Sequence, residues 1–150
     1  MSSPGYRRLT WPEVHEGQRL PPVVDPIDVQ RVVATAAATW VFFGGHIDPE
    51  YARSVQGREH IYLATGPILG LLDRYVTGWA GPEAFLAKRS VRLVDSLYAG
   101  DELHFGGVVT RKWVDGTRGY ERSLVDIDLE IRNRAAKACV LATVCYQLPT

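Results

Sequence analysis

The segment around His46 holds the residue types in this chain that are best suited to chemistry. Phe42-Phe43-Gly44-Gly45 precedes the histidine, and Asp48-Pro49 follows it. An imidazole exchanges protons near neutral pH, so His46 is a candidate acid or base. The alternative is a structural histidine that bonds to backbone at the Gly-Gly bend. Asp48 could orient His46, although an aspartate before proline is better suited to cap a helix.

Other common reaction centres are absent from the sequence. It has no Cys/His cluster at metal-binding spacing, no Gly-x-Ser-x-Gly nucleophile motif and no glycine-rich phosphate loop before a helix. We therefore expect neither a metal nor a bound cofactor. Cys139 and Cys145 lie on one predicted strand, about 20 Å apart by strand geometry, which is too far for a disulfide. Both are expected to be buried free thiols in a reducing cytoplasm.

The composition indicates one globular domain over residues 1–150. Hydrophobic residues make up 46% of the chain, and 17 basic residues balance 17 acidic ones. This balance gives no field that would gather nucleic acid or anionic lipid. The N-terminus lacks the apolar core of a signal peptide, and no apolar run approaches the roughly 18 residues of a membrane span. We therefore expect a cytoplasmic protein with no nucleic-acid or membrane partner.

The first part of the chain is predicted to hold an irregular lead-in and two helices. Residues 1–25 are rich in proline and glycine and are typical of irregular structure. Both helices are predicted to start where an aspartate precedes a proline, a pair that suits the first turn. They run from Asp25-Pro26 to about Thr39 and from Asp48-Pro49 to about Gln56-Gly57, with a break at Gly44-Gly45.

A third helix is predicted to form the centre of the fold. It starts at Thr65-Gly66, continues through Trp79, and stops at Ala80-Gly81-Pro82. Its apolar residues occupy most of the circumference, which is typical of a buried helix. Asp73 is an unusual charge there, and we expect it to pair with Arg74 or with a strand residue such as Arg92.

The rest of the chain is predicted to form four long strands. Residues 124–131 alternate apolar and acidic side chains, as a half-exposed strand does, and Asp115-Gly116 and Asn133–Ala135 are hairpin signals. A buried helix followed by long antiparallel strands predicts an α+β fold, a single hot dog whose sheet wraps around that helix. Its open edges favour pairing with another subunit. The predicted strands cover residues 84–94, 101–114, 119–132 and 135–148.

Four segments stand in a characteristic order along the chain. They cover residues 11–22, 46–53, 71–82 (in the predicted central helix) and 99–103. Together they resemble the MaoC-like (R)-enoyl-thioester hydratases and dehydratases, and the strength of this resemblance lies in their order and spacing. It covers about residues 11–148. The third segment resembles the central helix of the subgroup that acts on bulky polyketide or steroid acyl thioesters.

One departure from the family pattern affects the expected chemistry. Family hydratases carry Asp-x-Asn-Pro-x-His, in which the Asp and the His form the catalytic pair. The corresponding stretch here is residues 41–46, so Val41 stands at the aspartate position and Phe43 at the asparagine position. The resemblance therefore implies a catalytic His46 without its usual acid. His60, which follows Glu59, is a candidate substitute, and its alternative is an exposed loop histidine.

The resemblance also implies how the substrate is held. Hydration needs a base for the water and hydrogen-bond donors for the thioester oxygen, which helix-start amides at Thr65 and Gly66 would supply. Phe42 and Phe43 either pack beneath the loop or wall a pocket for a large apolar acyl chain. Coenzyme A or an acyl carrier protein would carry that chain. A few basic residues could reach the phosphates of the carrier, although the simpler interpretation is that these residues form a solvated face. These are Arg111, Lys112, Arg118, Arg122, Arg132 and Arg134.

Three functions remain open from the sequence. The first is a hydro-lyase that hydrates a 2-enoyl thioester or dehydrates a 3-hydroxyacyl thioester with His46 as base. The second is a non-catalytic or degenerate partner subunit that completes a heteromer with a catalytic MaoC-like subunit. The third is altered dehydratase or cyclase chemistry in a natural-product pathway. The absent aspartate at Val41 favours the last two, and in each case a homodimer or a heteromer with another hot-dog subunit is expected.

Overall fold

The fold combines one antiparallel sheet with a central helix, described for residues 8–117 and 119–150 of a computed structural model. The first seven residues of the predicted lead-in and Arg118 lie outside the described residues. The strands are β1 (Val23–Pro26), β2 (Phe85–Leu93), β3 (Glu102–Asp115), β4 (Arg122–Arg132) and β5 (Ala138–Gln147). The helices are α1 (Val29–Ala38), α2 (Gly44–Ile47), α3 (Pro49–Ser54) and α4 (Thr65–Ala80), and a short 3-10 helix spans Trp11–Glu13.

The sheet has the strand order β1-β3-β4-β5-β2, with every neighbouring pair antiparallel. Its central strands bury alternate residues, as in β4, where Ile127 and Leu129 face the core and Asp128 faces solvent. This alternation is the sequence signal that predicted the strands, and the predicted α+β arrangement is confirmed. The outermost strands β1 and β2 each have one edge unpaired within the described chain.

Helix α4 packs one side against the sheet. Ile68, Leu72 and Val76 are buried in the same core as the inward residues of β4 and β5. The opposite side is exposed and carries Gly66, Gly70, Arg74 and Gly78 at four-residue spacing. The helix is therefore not buried all round as predicted, because a single sheet covers only one side of it.

Asp73 is ion-paired with a strand residue, which is one of the two predicted arrangements. Arg89 of β2 donates to both oxygens of Asp73, at 2.8 and 2.7 Å, and the hydroxyl of Tyr146 on β5 donates at 3.2 Å. The predicted ion pair with a strand residue is therefore confirmed, with Arg89 in the place of Arg92, and the alternative partner Arg74 is wrong. Arg74 instead reaches Asp25 at 2.6 Å, because consecutive helix positions point in different directions.

The first helix begins three residues later than predicted. Asp25 and Pro26 belong to β1, where they pair with β3, so the predicted lead-in ends in a strand. Asp28 is the cap of α1, since its carboxylate accepts the backbone N–H of Arg31 at 2.7 Å. The side chain of Arg31 bonds Asp25, and this hydrogen bond lowers the pKa of that carboxyl. Asp25 thus joins β1 to α1 and α4 instead of capping a helix.

Both cysteines are buried and free, as predicted. Burial raises the pKa of the Cys139 thiol and that of Cys145 to about 12, so neither is a ready thiolate. In the part of the chain that the structure describes, no helix is both long and apolar enough to span a membrane.

We expect Leu72→Ala to lower the free energy of unfolding by about 2–5 kcal/mol, because it leaves a cavity under the central helix. Leu72 is fully buried. Urea unfolding followed by circular dichroism measures the loss. Leu71→Ala, at a half-buried neighbour on the same helix, should cost clearly less, and equal losses would contradict the described packing of α4.

Candidate functional site

His46 is held inside the protein by the single turn of α2. Its side chain is buried, and its Nδ1 lies 2.8 Å from the backbone oxygen of Tyr62. A carbonyl oxygen can only accept, so Nδ1 carries the hydrogen and donates it. Nε2 of the neutral ring therefore keeps its lone pair and can accept a proton.

Aromatic rings fix the orientation of this imidazole. Tyr62 meets the His46 ring edge-on with centroids 4.9 Å apart, and Phe43 meets it at 5.6 Å. The neighbouring Gly45 is required by close packing, because a Cβ there would overlap Gln56 Oε1 and stand 2.9 Å from the Tyr62 hydroxyl. The Gly-Gly pair that the sequence marked as a break is thus part of a tightly packed turn.

A cleft of about 370 Å³ opens beside His46. It forms where residues 61–63 pair with residues 97–99 and then diverge towards α4 on one side and the end of β2 on the other. Its walls combine apolar and polar side chains. They are His46, Arg58, Tyr62, Leu63, Thr65, Ile68, Leu93, Val94, Asp95, Ser96 and Leu97.

The start of α4 offers hydrogen-bond donors at this cleft. Its capping residue is Ala64, which has no side-chain oxygen, so the prediction that Thr65 or Gly66 caps the helix is wrong. Both residues lie in the first turn, where backbone N–H groups have no partner within the helix. Thr65 lines the cleft, and Gly66 does not. The positive end of the helix dipole favours an oxygen with negative charge at this end of α4.

Asp95 brings a carboxylate to the cleft that the sequence did not single out. It follows β2 and accepts the backbone N–H of Ser96 at 2.7 Å, and it forms an ion pair with Lys137. The hydrogen bond from Lys137, followed by that from Ser96, lowers the pKa of Asp95. The carboxyl group is therefore ionised at neutral pH.

Arg58 is a second polar residue of the cleft that sequence reasoning missed. It is exposed, and its guanidinium carbon lies 5.9 Å from the centroid of the Tyr62 ring. Asp95 lies far from His46 in sequence, and neither Asp95 nor Arg58 belongs to a recognisable motif. The pairing of residues 61–63 with 97–99 helps to bring Asp95 to the cleft that His46 lines, and a single sequence carries no direct signal of that pairing.

Asp48 and His60, both candidates from the sequence, do not line the cleft. The carboxylate of Asp48 accepts the backbone N–H groups of Glu50 and Tyr51 at 2.9 and 3.2 Å, so Asp48 caps α3. Nδ1 of His60 accepts the backbone N–H of Ile61 at 2.8 Å. The catalytic assignments of these two residues are therefore not supported by the geometry.

Phe42 and Phe43 also lie outside the cleft lining. Phe42 is 57% exposed and Phe43 is 43% exposed. The Phe43 ring nevertheless packs edge-on against the rings of His46 and Tyr51. Trp40 is 84% exposed beside the two phenylalanines and has a φ of 55°, a left-handed conformation that a bulky residue adopts at some cost. Together with Val41, these residues form the aromatic patch, defined here as residues 40–43.

The predicted basic residues are mostly engaged elsewhere. Arg122 and Arg132 pair with acidic residues of their own strands or hairpin, and Arg134 lies 3.4 Å from Glu102. Arg111 and Lys112 lie over tryptophan rings. Across residues 8–117 and 119–150, no three His, Cys, Asp or Glu side chains are grouped to hold a metal ion.

Comparison with curated proteins relates the chain to a steroid hydratase subunit. The 3-oxo-4,17-pregnadiene-20-carboxyl-CoA hydratase beta subunit of Mycobacterium tuberculosis is 40% identical over 83 residues. The match covers 55% of this chain and 64% of that relative, which is less than two thirds of its length. No family model matches the chain.

Solved structures extend the similarity over almost the whole chain. A chain of the ChsH1-ChsH2 complex from Mycobacterium tuberculosis is 33% identical with a TM-score of 0.78, and the match covers 89% of this chain and 98% of that one. The (R)-hydratase from A. caviae involved in PHA biosynthesis gives a TM-score of 0.79 at 18% identity, covering 91% and 98%. The MaoC-like dehydratase from Rhodospirillum rubrum gives 0.80 at 17%, covering 93% and 96%. The predicted hot-dog fold is confirmed.

We expect Gly45→Ala to lower the free energy of unfolding by about 1–3 kcal/mol, because the added methyl group crowds the side chains of Gln56 and Tyr62. Gly70→Ala is the matched control. Its Cβ meets nothing within 4 Å, and alanine is favoured over glycine in a helix by about 0.5–1 kcal/mol. Urea unfolding of both variants tests this, and a Gly45→Ala protein as stable as the control would contradict the close packing.

Proposed function

Because this chain belongs to the MaoC-like family of hydratases and dehydratases, we propose that it adds water to a 2-enoyl thioester or removes water from a 3-hydroxyacyl thioester. The observation that carries this proposal is the shared cleft of His46 and the first turn of α4. One group can move a proton and the other can hold an oxygen, and hydration of an enoyl thioester needs both.

His46 is the proposed base. Its Nδ1–H is engaged by the Tyr62 carbonyl, which leaves Nε2 as the acceptor of a water proton. The ring is buried between Phe43 and Tyr62, so little conformational freedom is lost when a substrate binds. The same ring would return the proton to the substrate, which makes one histidine sufficient for both transfers.

The backbone N–H groups of Thr65 and Gly66 are the proposed donors to the thioester oxygen. The negative charge that develops on this oxygen during addition is stabilised by amide groups and by the positive end of a helix. Pro67, the next residue, has no N–H, so these two amides are the donors that the beginning of the turn can offer.

The proposed substrate is a bulky acyl thioester of coenzyme A or of an acyl carrier protein. A relative is named for a steroid-type acyl-CoA, and residues 71–82 resemble the central helix of that subgroup. Arg58 stands exposed at the cleft and is a candidate for the phosphates of the carrier arm. Phe42 and Phe43 would contact an apolar acyl chain only where a second subunit encloses them, since they do not line the cleft of this chain.

A second hot-dog subunit is the proposed partner. A similar chain was solved in a two-subunit complex, and β2 leaves a free edge that can extend a sheet across subunits. Phe85 and Leu93 are exposed on this strand, and the aromatic patch is exposed as well. We propose the cytoplasm as the compartment, since both cysteines are free thiols.

The second candidate function is that of a degenerate partner subunit. The observation in its favour is Val41 at the position where family hydratases carry the catalytic aspartate. Under this alternative, the chain would complete a substrate tunnel while the other subunit performs the reaction.

We expect His46→Ala to lower kcat/KM at least about a hundredfold, because the proton acceptor is lost. Hydration of crotonyl-CoA and of longer enoyl-CoA substrates is followed by loss of the enoyl absorbance. The protein is assayed alone and together with a second hot-dog subunit of the same organism. His60→Ala is the control, since His60 lies outside the cleft lining, and it should retain near-normal activity.

The outcomes separate the two candidate functions. Loss of activity in His46→Ala but not in His60→Ala supports catalysis by this chain. Activity that needs the second subunit and survives His46→Ala supports the partner function and would reject the catalytic one.

We expect Phe85→Glu to weaken subunit association, because it places a charge at the free edge where two sheets would join. Sedimentation velocity should show a shift towards the monomer. Tyr120→Glu changes an aromatic residue of similar exposure, 58% against 67%, in the β3–β4 hairpin and is the matched control. Equal association of both variants would exclude the β2 edge as the contact.

A further inference from the structure

The proposed reaction lacks a carboxylate at the family's motif position, where this chain has Val41. The inference that follows rests on the proposed function and concerns which residue takes over that role. Among the described residues that line the cleft, Asp95 is the one with a carboxylate. The carboxylate of Asp48 caps α3, and Nδ1 of His60 accepts the backbone N–H of Ile61.

Asp95 and His46 reach the cleft from two paired backbone segments. Leu63 donates to the backbone oxygen of Leu97 at 3.0 Å, which sets residues 61–63 against residues 97–99. His46 is tied to the first segment through the Tyr62 oxygen, and Asp95 lies just before the second. The same pairing therefore brings both residues to one cleft.

The carboxylate of Asp95 is held in place by hydrogen bonds but can accept further ones. One oxygen accepts the N–H of Ser96 and the other pairs with Lys137. A carboxylate offers about four acceptor positions, so lone pairs remain for a further donor. The side chain is 24% exposed, which leaves it accessible from the cleft.

Positive charges keep Asp95 ionised. Lys137 and Arg58 both act on it, and they lower the pKa of this carboxyl below its usual value. An ionised carboxylate accepts hydrogen bonds and does not donate a proton at neutral pH. Asp95 therefore suits the task of holding a water molecule and balancing a positive charge, while proton transfer falls to His46.

We propose that Asp95 is the second catalytic residue of this cleft, where it holds the nucleophilic water that His46 activates. The water oxygen bonds to the β-carbon as one of its protons passes to Nε2 of His46. The electrons of the carbon–carbon double bond move through the α-carbon onto the thioester oxygen. The imidazolium then returns its proton to the α-carbon and the thioester carbonyl reforms, so one water has added in total. Dehydration is the same sequence in reverse.

Asp95→Asn tests this assignment, because it keeps the shape of the side chain and removes its charge. We expect kcat for enoyl-CoA hydration to fall about a hundredfold, with a change in KM of no more than a few-fold. The reaction is measured with the complex that supports wild-type activity. Thermal unfolding by circular dichroism shows whether the variant is folded.

Lys137→Gln is the matched control, since Lys137 pairs with Asp95 but does not line the cleft. A role confined to the ion pair predicts equal losses in the two variants. A catalytic carboxylate predicts a much larger loss of kcat in Asp95→Asn than in Lys137→Gln.

The results separate this assignment from the function on which it rests. If Asp95→Asn keeps its kcat within about threefold of the wild-type value, or if both variants lose equal activity, the proposed role of Asp95 is rejected. The hydratase function is not affected by either result. A wild-type protein that hydrates no enoyl thioester, alone or with a second subunit, overturns both together.

Discussion

The short antiparallel pairing of residues 61–63 with residues 97–99 is the contact on which core and site both depend. Ile61, Leu63 and Leu97 are buried there, and their backbone hydrogen bonds measure 2.9–3.0 Å. A single residue, Ala64, separates this pairing from α4, so the pairing sets where the central helix begins and where its first amides point. It also presents the Tyr62 oxygen to His46. A shift of this pairing by one residue would turn the side chains to the other face and would separate the cleft into unrelated parts.

The sequence predicted the long elements well, because their patterns are repeated many times. The alternation in β4 and the glycine–proline stop after α4 are each supported by several residues that predict the same structure. Short elements rest on one or two residues and were less predictable. Asp25-Pro26 has the composition of a helix cap, yet β3 pairs with it and Arg31 and Arg74 bind its carboxylate. Asp28, three residues after Asp25, is equally suited to cap a helix, and only tertiary contacts decide between the two.

The residues of the candidate site likewise differ in how far they could be predicted from local sequence signals. His46 could be found from the sequence because it stands in a recognisable segment, and Thr65 because a helix start follows from local signals. The backbone acceptor of His46 could not, since a carbonyl oxygen carries no sequence signal. Asp95 was hidden for a different reason. In the sequence it is an ordinary loop aspartate after a strand. Its proposed role depends on the ion pair with Lys137 and on a cleft whose other walls come from residues far away in sequence.

Physical chemistry gives a reason for the carboxylate to stand at residue 95 and not at residue 41. Trp40 and Phe42 flank Val41, and both rings are largely exposed. If a second subunit covers this aromatic patch, a carboxylate at residue 41 would enter an apolar contact, where an unpaired charge costs several kcal/mol. At residue 95 the charge already has a cation and a backbone N–H. The aromatic patch and the charged group then occupy different segments, so residues 40–43 can serve association while the cleft keeps an ionised carboxylate.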